Sequence, residues 1–208
     1  MIEFNKKDDI PGRVIIKLHY LKLNTIAFFC TLVNRIVWLI KGVNLSSGSR
    51  FNGFSKVFRF PGSTITIGGN CKFISDKSTN LIGVNRKCII STHSNNAIIK
   101  IGNGSGFSGV SIGCLQSITI GDDVLVGANV IITDYDWHNI DPSRRAEKCL
   151  NSKPIIIEDN VFIGVNSIVW KGVTIGKNSV IGANSVVTKS VPSGVIAAGN
   201  PCKVIRDI

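Results

Sequence analysis

The stretch IEDNVFIGVNSIVWKGVTIGKNSVIGANSVVTKSV, residues 157–191, decides the fold of this chain. An aliphatic residue recurs in it at every sixth position, and the same spacing begins further upstream, giving Ile120, Val126, Ile132, Ile157, Ile163, Val169, Ile175, Ile181 and Val187. A second small or branched residue follows four places after each of these except Ile132. A period of six matches neither the helical 3.6 nor the plain strand period of 2, so each unit is predicted to be a short strand followed by a turn.

The two recurring positions are predicted to point inward and fill a narrow core. Gly often follows the aliphatic residue and Asn often stands at the third place of a unit, and both residue types tolerate the positive φ of a sharp bend. Three units would close one triangular coil of about 18 residues, and coils would stack at roughly 4.8 Å. Each buried Ile or Val contributes about 1.5–3 kcal/mol, and the sum over many coils stabilises such a solenoid.

These units, followed by VPSGVIAAGNPCKVIRDI at residues 191–208, resemble the hexapeptide-repeat acyltransferases. The resemblance covers residues 65–208 and implies a left-handed parallel β-helix; the spacing itself indicates only a coil. The expected fold class is therefore an all-β solenoid, a left-handed parallel β-helix of hexapeptide repeats, with an N-terminal α-helical segment.

Four regions are predicted along the chain. Residues 1–41 form a polar lead and an amphipathic helix, because Val14, Leu18, Leu21, Leu32 and Ile36 share helical spacings. Residues 42–66 form an irregular cap, residues 67–191 the β-helix with an inserted loop at 133–154, and residues 192–208 a closing segment. Irregular repeats are expected in the early coils at Ile67-Gly68, Ile82-Gly83, Ile101-Gly102 and Ile112-Gly113.

Charge bears on where the protein acts. The net charge is +11, and residues 1–60 hold ten Lys or Arg against three Asp or Glu, a balance of +7. Two interpretations of residues 13–41 follow: a helix packed on the solenoid or a neighbouring subunit, or an interfacial helix that contacts a membrane through Phe28, Phe29 and Trp38. No nucleic-acid-binding motif accompanies the charge, so no nucleic-acid partner is expected. Six cysteines without a CxxC pair indicate free thiols, and a cytoplasmic location is expected, at the inner face of the membrane if the helix binds lipid.

The break at residues 133–154 holds the candidate catalytic residues. Acyl transfer from a thioester to a hydroxyl needs a base, and His138 is the one histidine in this break. The resemblance implies a catalytic histidine shortly after a GxNVxI repeat, which here is residues 127–132. Asp136 or Asp134 is predicted to accept the imidazole N–H and fix its tautomer. Trp137 is predicted to form a wall for a sugar ring or for pantetheine, with loop packing as the alternative.

The resemblance also implies where acetyl-CoA binds. Val165 and Ala183 match positions whose backbone groups face the pantetheine arm. Thr188, Lys189 and Arg206 match positions that face the adenine and 3′-phosphate end, where Lys and Arg suit phosphate.

The resemblance also implies an acceptor substrate and an oligomeric state. Ser108 matches a polar acceptor-site residue of sugar acetyltransferases. The leading function is acetyl-CoA-dependent O-acetylation of a hydroxyl of a sugar or glycan, in surface-glycan biosynthesis, by a homotrimer with sites between neighbours. The alternatives are N-acetylation of an amino-sugar nucleotide and a metal site like that of γ-carbonic anhydrase. The metal site needs three converging histidines, and since only His93 and His138 lie among the repeats, no metal is expected.

Overall fold

Parallel β-strands on three faces form most of the molecule, and one α-helix precedes them. The structure is a computed structural model, and it describes residues 9–147 and 151–208. Neighbouring strands in each sheet come from successive coils, since the chain visits the three sheets in turn. The expected left-handed parallel β-helix with an N-terminal helix is confirmed.

Six coils run from residue 44 to residue 187, and each supplies one strand to each face. Face A holds β1 (Asn44–Leu45), β4 (Thr64–Ile67), β7 (Ile98–Ile101), β10 (Ser117–Ile120), β13 (Ile155–Ile157) and β16 (Thr174–Ile175). Face B holds β2 (Arg50–Asn52), β5 (Lys72–Ile74), β8 (Gly106–Ser108), β11 (Leu125–Val126), β14 (Phe162–Ile163) and β17 (Val180–Ile181). Face C holds β3 (Lys56–Phe58), β6 (Ile89–Thr92), β9 (Ser111–Cys114), β12 (Ile131–Thr133), β15 (Ile168–Val169) and β18 (Val186–Val187).

Two further strands close the chain beyond the last full coil. β19 (Val195–Ala198) adds to face B beside β17, and β20 (Lys203–Asp207) pairs with β19 in the antiparallel direction. Five of the six cysteines lie in the part of the chain that the structure describes, and all five are free thiols, as predicted; Cys149 lies outside the described residues.

The six-residue repeat sets the register of the coils. Ile157 pairs with Ile175, Ile163 with Ile181 and Val169 with Val187, so one coil takes 18 residues. Across the break, β10 still pairs with β13 in register, with Ile120 opposite Ile157. The inserted loop therefore leaves the coil without shifting any side chain from the core to the surface.

The predicted core positions are confirmed. Every aliphatic residue at the sixth position is at most 3% exposed, and the second position is buried as well, even where it is Ser. The buried Ser hydroxyls bond to backbone carbonyls of the corners, as when Ser167 Oγ donates to Gly182 O at 3.0 Å. The bends are left-handed at the predicted Asn positions, with positive φ at Asn129, Asn160, Asn166, Asn178 and Asn184.

The early coils differ from the prediction in two places. The β-helix begins at residue 44, because β1, β2 and β3 pair in parallel with β4, β5 and β6, so residues 42–66 form a coil and the start of the next rather than an irregular cap. The expected repeat at Ile82-Gly83 is wrong: Ile82 is exposed in the loop between β5 and β6, and Gly83 has φ +109. Phe51, Phe73 and Phe107 occupy the inward positions of face B here, so the aliphatic pattern is hidden.

Helix α1 (Ile10–Ile40) caps the first coil with its C-terminal half. Ala27, Cys30, Asn34 and Trp38 recur every three or four residues and are its buried side chains. Trp38 is fully buried, with its ring centroid 4.9 Å from that of Phe51 and 5.4 Å from that of Phe73. By length and composition alone, α1 would suffice to cross a membrane. The polar lead predicted at residues 1–12 lies mostly outside the described residues.

Candidate functional site

The inserted loop leaves the coil at the corner between faces C and A, here called the C–A corner. Its two ends run side by side: Tyr135 bridges Ser152 in the antiparallel sense, and Lys153 N donates to Asp134 O at 2.8 Å. Asp141 caps a short 3-10 helix, Pro142–Arg144, and its own hydrogen bonds to Ser143 lower the pKa of its carboxyl. The loop is therefore fastened at its base.

Asp134 anchors the foot of the loop and does not contact His138, the predicted general base. Its carboxylate is fully buried and accepts the backbone N–H groups of Leu115, Gln116 and Ser117 at 2.7–2.8 Å. These three donors belong to the turn of the preceding coil, whose amides would otherwise be unsatisfied. The expectation that Asp134 orients His138 is thus corrected, because its oxygens are already used.

Two neighbouring groups are kept neutral by the same environment. Burial raises the pKa of the Tyr135 phenol, and the charge of Asp134 raises it further. Burial also raises the pKa of the Cys114 thiol, again with help from the charge of Asp134. Neither group is therefore suited to act as an anionic nucleophile near neutral pH.

Asp136 forms an ion pair with Lys171, and it accepts a second hydrogen bond from Asn151 Nδ2 at 2.9 Å. Lys171 stands at the same corner on the next coil, so the pair ties the loop to the coil. Within the described residues Asp136 makes no hydrogen bond to His138. The structure therefore assigns Asp136 to holding the loop, and its predicted role in orienting the imidazole is not seen in the protomer.

His138 and Trp137 occupy the exposed part of the loop. Trp137 folds back over face C, where its Nε1 donates to Thr133 Oγ1 at 3.2 Å. Its ring lies 4.8 Å from Tyr135 and 5.0 Å from His93, measured between centroids. Trp137 is thus held at a defined place, while the adjacent His138 is exposed.

His93 is a neighbour of the site that the sequence interpretation did not assign. Its Nε2 lies 2.9 Å from Ser91 Oγ, and its ring also faces Tyr135 at 5.5 Å. The repeat register could have found it, since Thr92 pairs with Cys114 and Gly113 pairs with Thr133 across face C. That register places residue 93 two coils before the start of the loop.

A pocket of ≈ 220 Å³ lies between Trp137 and face C. Its floor is apolar, and hydroxyl groups are supplied by Ser91, Ser111 and Thr133. Gly113 allows the Trp137 ring to approach face C this closely, because a Cβ at residue 113 would lie 2.8 Å from Cζ2 of Trp137. A flat apolar wall with hydroxyls beside it suits one face of a sugar ring.

The residues predicted for pantetheine stack at the corner between faces B and C, the B–C corner. Val165 and Ala183 belong to consecutive coils there, and Asn184 N donates to Val165 O at 2.8 Å. The carbonyl of Val165 is therefore used within the coil. The bonds between these turns are donated by Gly164, Asn166, Gly182 and Asn184, which leaves the N–H groups of Val165 and Ala183 outside the ladder. These two N–H groups suit the amide carbonyls of a pantetheine arm.

The other predicted residues lie elsewhere on the protomer. Thr188 and Lys189 are exposed at the C–A corner, one coil beyond Lys171, and Arg206 is exposed on β20. Ser108 ends β8 at the B–C corner, where its Oγ accepts a hydrogen bond from Asn80 Nδ2 at 3.0 Å. One protomer thus brings His138, Trp137 and Lys189 to one corner and Ser108, Val165 and Ala183 to another.

A larger cavity of ≈ 590 Å³ lies at the third corner, between faces A and B. Its lining includes Glu158, Asp159 and Lys177 and none of the predicted site residues. Its two carboxylates make it a poor place for an anionic phosphate ligand. In residues 9–147 and 151–208, no three His, Cys, Asp or Glu side chains converge as metal ligands would.

Comparison with known proteins gives partial matches to acetyltransferases. A family model described as the hexapeptide repeat of succinyl-transferase matches residues 154–189. The galactoside O-acetyltransferase of Escherichia coli (strain K12) is 48% identical over 92 residues, which is 44% of this chain and 45% of that protein. A tetrahydropyridine-dicarboxylate N-acetyltransferase of Staphylococcus aureus (strain Newman) is 39% identical over 86 residues, 41% of this chain and 31% of that protein. The matched region spans less than half the length of these curated relatives.

Solved structures cover more of the chain. A galactoside acetyltransferase in complex with coenzyme A matches with a TM-score of 0.54 and 27% identity over 97% of this chain and 85% of that chain. An N-acyltransferase from Bacillus cereus matches with a TM-score of 0.63 and 20% identity over 83% of this chain and 88% of that chain, which shows a shared fold. The repeat, the coil and these matches agree: the chain is similar to hexapeptide-repeat acetyltransferases, in sequence over less than half of its length and in fold over most of it.

Proposed function

We propose that the protein transfers an acetyl group from acetyl-CoA to a hydroxyl of a sugar, in the synthesis of a surface glycan. The observation that carries this proposal is the anchored loop, which presents the exposed His138 directly after Trp137, the wall of a hydroxyl-lined pocket. The similarity to a galactoside acetyltransferase solved with coenzyme A supports it.

In this mechanism His138 acts as general base. The acceptor oxygen attacks the acetyl carbonyl carbon while its proton passes to the imidazole. The C–S bond then breaks, and the imidazolium returns the proton to the sulfur, so the products are an acetyl ester and free CoA. Since neither Asp134 nor Asp136 contacts the imidazole, we propose that its orientation comes from the substrate or from a neighbouring subunit.

Acetyl-CoA is proposed to lie along the B–C corner. The N–H groups of Val165 and Ala183 would bind the pantetheine arm there, and Arg206, together with Thr188 and Lys189 from the C–A corner of a neighbouring subunit, would face the adenine and 3′-phosphate. Gly164 and Gly182 keep this corner narrow: a Cβ on Gly164 would come within 2.5 Å of Ala183 N.

A homotrimer would complete the site, because its parts lie on two corners of one protomer. The outward residues of faces B and C are apolar in the later coils, as at Leu125, Phe162 and Ile168, whereas face A mixes Lys100 and Thr119 with Ile98 and Ile156. Packing of face B of one subunit against face C of the next would cover this apolar surface.

The test is CoA release by the purified full-length protein from acetyl-CoA with a panel of sugars and glycosides. With the acceptor that responds, His138→Ala should lower kcat by about 10²–10⁴. His19→Ala removes a histidine from the exposed helix and serves as the matched control, which should leave turnover unchanged. Near-wild-type turnover of His138→Ala would refute the assignment of the loop as the catalytic centre.

N-acetylation of an amino-sugar nucleotide is the second candidate, favoured by the match to an N-acetyltransferase. The two products differ chemically, since alkaline hydroxylamine cleaves an acetyl ester and leaves an acetamide intact. A hydroxylamine-resistant product from an amino sugar, together with no CoA release in the presence of neutral sugars, would support the second candidate over the first.

A further inference from the structure

We propose that α1 docks the protein on an anionic membrane surface. This inference is independent of the acetyltransferase activity. It starts from the difference between the two halves of the helix. Residues 27–38 supply the buried contacts with the coil, whereas every side chain of residues 13–22 is exposed.

The exposed surface of α1 is apolar well beyond what a solvated helix carries. Phe28 and Phe29 are 68% and 60% exposed. Other exposed apolar residues lie before and after them on the helix: Val14, Ile15, Leu18, Leu21, Leu32, Val33, Ile36, Leu39 and Ile40. At 100° per residue most of these point away from the face that holds Ala27 and Trp38. The coil therefore covers one side of the helix and leaves a long apolar side open.

The positive charge of α1 indicates which kind of partner covers its apolar side. Residues 10–40 include Arg13, Lys17 and Lys22 in the exposed half and no Asp or Glu. These three cations form no ion pair within the described residues. A second copy of α1 would bring the same positive charges and would be repelled, whereas anionic lipid headgroups would neutralise them while the acyl region takes up the apolar side chains.

The contacts with the coil favour a helix that lies on the membrane over one that crosses it. Asn34 is buried, with its Nδ2 donating to Gly53 O and its Oδ1 accepting from Ser55 N, so the C-terminal half is fastened to the first coil. A crossing helix would have to break these bonds and expose Trp38. A surface orientation keeps them and buries only the opposite side.

The test is co-sedimentation of the full-length protein with phosphatidylcholine vesicles, with and without phosphatidylglycerol, at low salt. Binding is expected only to the anionic vesicles. The variant Arg13→Gln/Lys17→Gln/Lys22→Gln should weaken this binding on the order of 100-fold, from about 1 kcal/mol per basic residue at the surface. Lys72→Gln/Lys77→Gln/Lys100→Gln removes the same charge from the exposed surface of the coil and should bind like the wild type.

A second variant separates lipid from protein as the covering partner. Phe28→Ser/Phe29→Ser changes exposed side chains, so it should fold normally and lose vesicle binding. If the wild type ignores anionic vesicles at low salt, or if the control triple variant loses as much binding as the helix variant, the proposal is overturned. A change in oligomeric state of the Phe28→Ser/Phe29→Ser variant without vesicles would also overturn it, in favour of a second copy on this face.

Discussion

At the residue scale, two side chains four positions apart in one loop have opposite surroundings. Asp134 is buried among three backbone donors, and His138 is exposed with no hydrogen bond to it in the described chain. A sequence motif that contains both suggests a catalytic pair. The geometry instead separates a residue that builds the loop from a residue that the loop presents.

Asp134→Asn should therefore destabilise the fold. The amide group would turn a donor toward backbone N–H groups, and the loss of a charged acceptor is expected to lower the free energy of unfolding by about 2–3 kcal/mol. Chemical denaturation measures this, with Asp123→Asn as control, because Asp123 is exposed and has a φ of +54 that Asn tolerates. Unchanged stability of Asp134→Asn would contradict the structural role.

Gly113→Ala tests the tryptophan wall. The new methyl group would displace the Trp137 ring, which now lies within 2.8 Å of that position, while the backbone angles of Gly113 are ones that Ala adopts. If the acceptor packs on Trp137, its KM should rise with little change in the KM for acetyl-CoA. Steady-state kinetics with each substrate varied would show this, and equal effects on both KM values would refute it.

Lys189→Ala tests the phosphate end of the cofactor site. Because a charged hydrogen bond contributes about 1.5–3 kcal/mol, acetyl-CoA should bind about 10- to 100-fold more weakly, and acetyl-dephospho-CoA should be affected much less. Calorimetric titration with both ligands is the measurement, with Lys100→Ala on face A as control. An identical loss for both ligands would exclude contact with the 3′-phosphate.

At the scale of elements, α1 is the lid of the core as well as an exposed surface. Trp38 begins a stack of aromatic rings that passes through Phe51 and Phe73 to Phe107, with centroid spacings of 4.9–5.1 Å. Removing the helix would leave the first ring of this stack in water. The helix is thus part of the folded unit.

Trp38→Ala should lower the free energy of unfolding by about 3–5 kcal/mol, as large-to-small changes of buried aromatic residues do. Leu39→Ala, one residue further on, should change it little because Leu39 is exposed. Urea titration of both variants makes the comparison. A small effect at Trp38 would mean that the helix is not a structural cap.

The later coils could be predicted from the sequence residue by residue, and the first coils could not. From Ile157 to Val187 every sixth residue is a buried aliphatic one and each bend carries Gly or Asn, so a single six-residue period describes this stretch. In the first coils Phe51 and Phe73 fill the same inward positions, and the loop that carries Ile82 interrupts the count. The site could be predicted only in part. Its location follows from the break in the six-residue period, but the contacts of Asp134, Asp136 and His93 depend on which coils lie next to the loop.

At the scale of the whole molecule, the two separated corners predict an obligate assembly. Phe162→Glu would place a charge on the apolar outer side of face B and should convert the proposed trimer into monomers with loss of activity. Lys100→Glu changes charge on face A and should leave the proposed trimer intact. Analytical ultracentrifugation and the CoA-release assay are read together, and a stable, fully active monomer of the wild type would refute the shared site.

The burial of Trp38 between helix α1 and the coil also gives the molecule an intrinsic fluorescent reporter. Trp38 is fully buried against phenylalanine rings, whereas Trp137 is 53% exposed. An indole in an apolar cage emits at shorter wavelength than one in water, and the third tryptophan, Trp170, is only partly buried, so Trp38 at the junction between helix and coil gives the shortest-wavelength part of the intrinsic fluorescence. A helix that settles on lipid while still docked would keep that blue emission. A helix that leaves the coil would shift it to the red, so one spectrum distinguishes the two modes of attachment without any label.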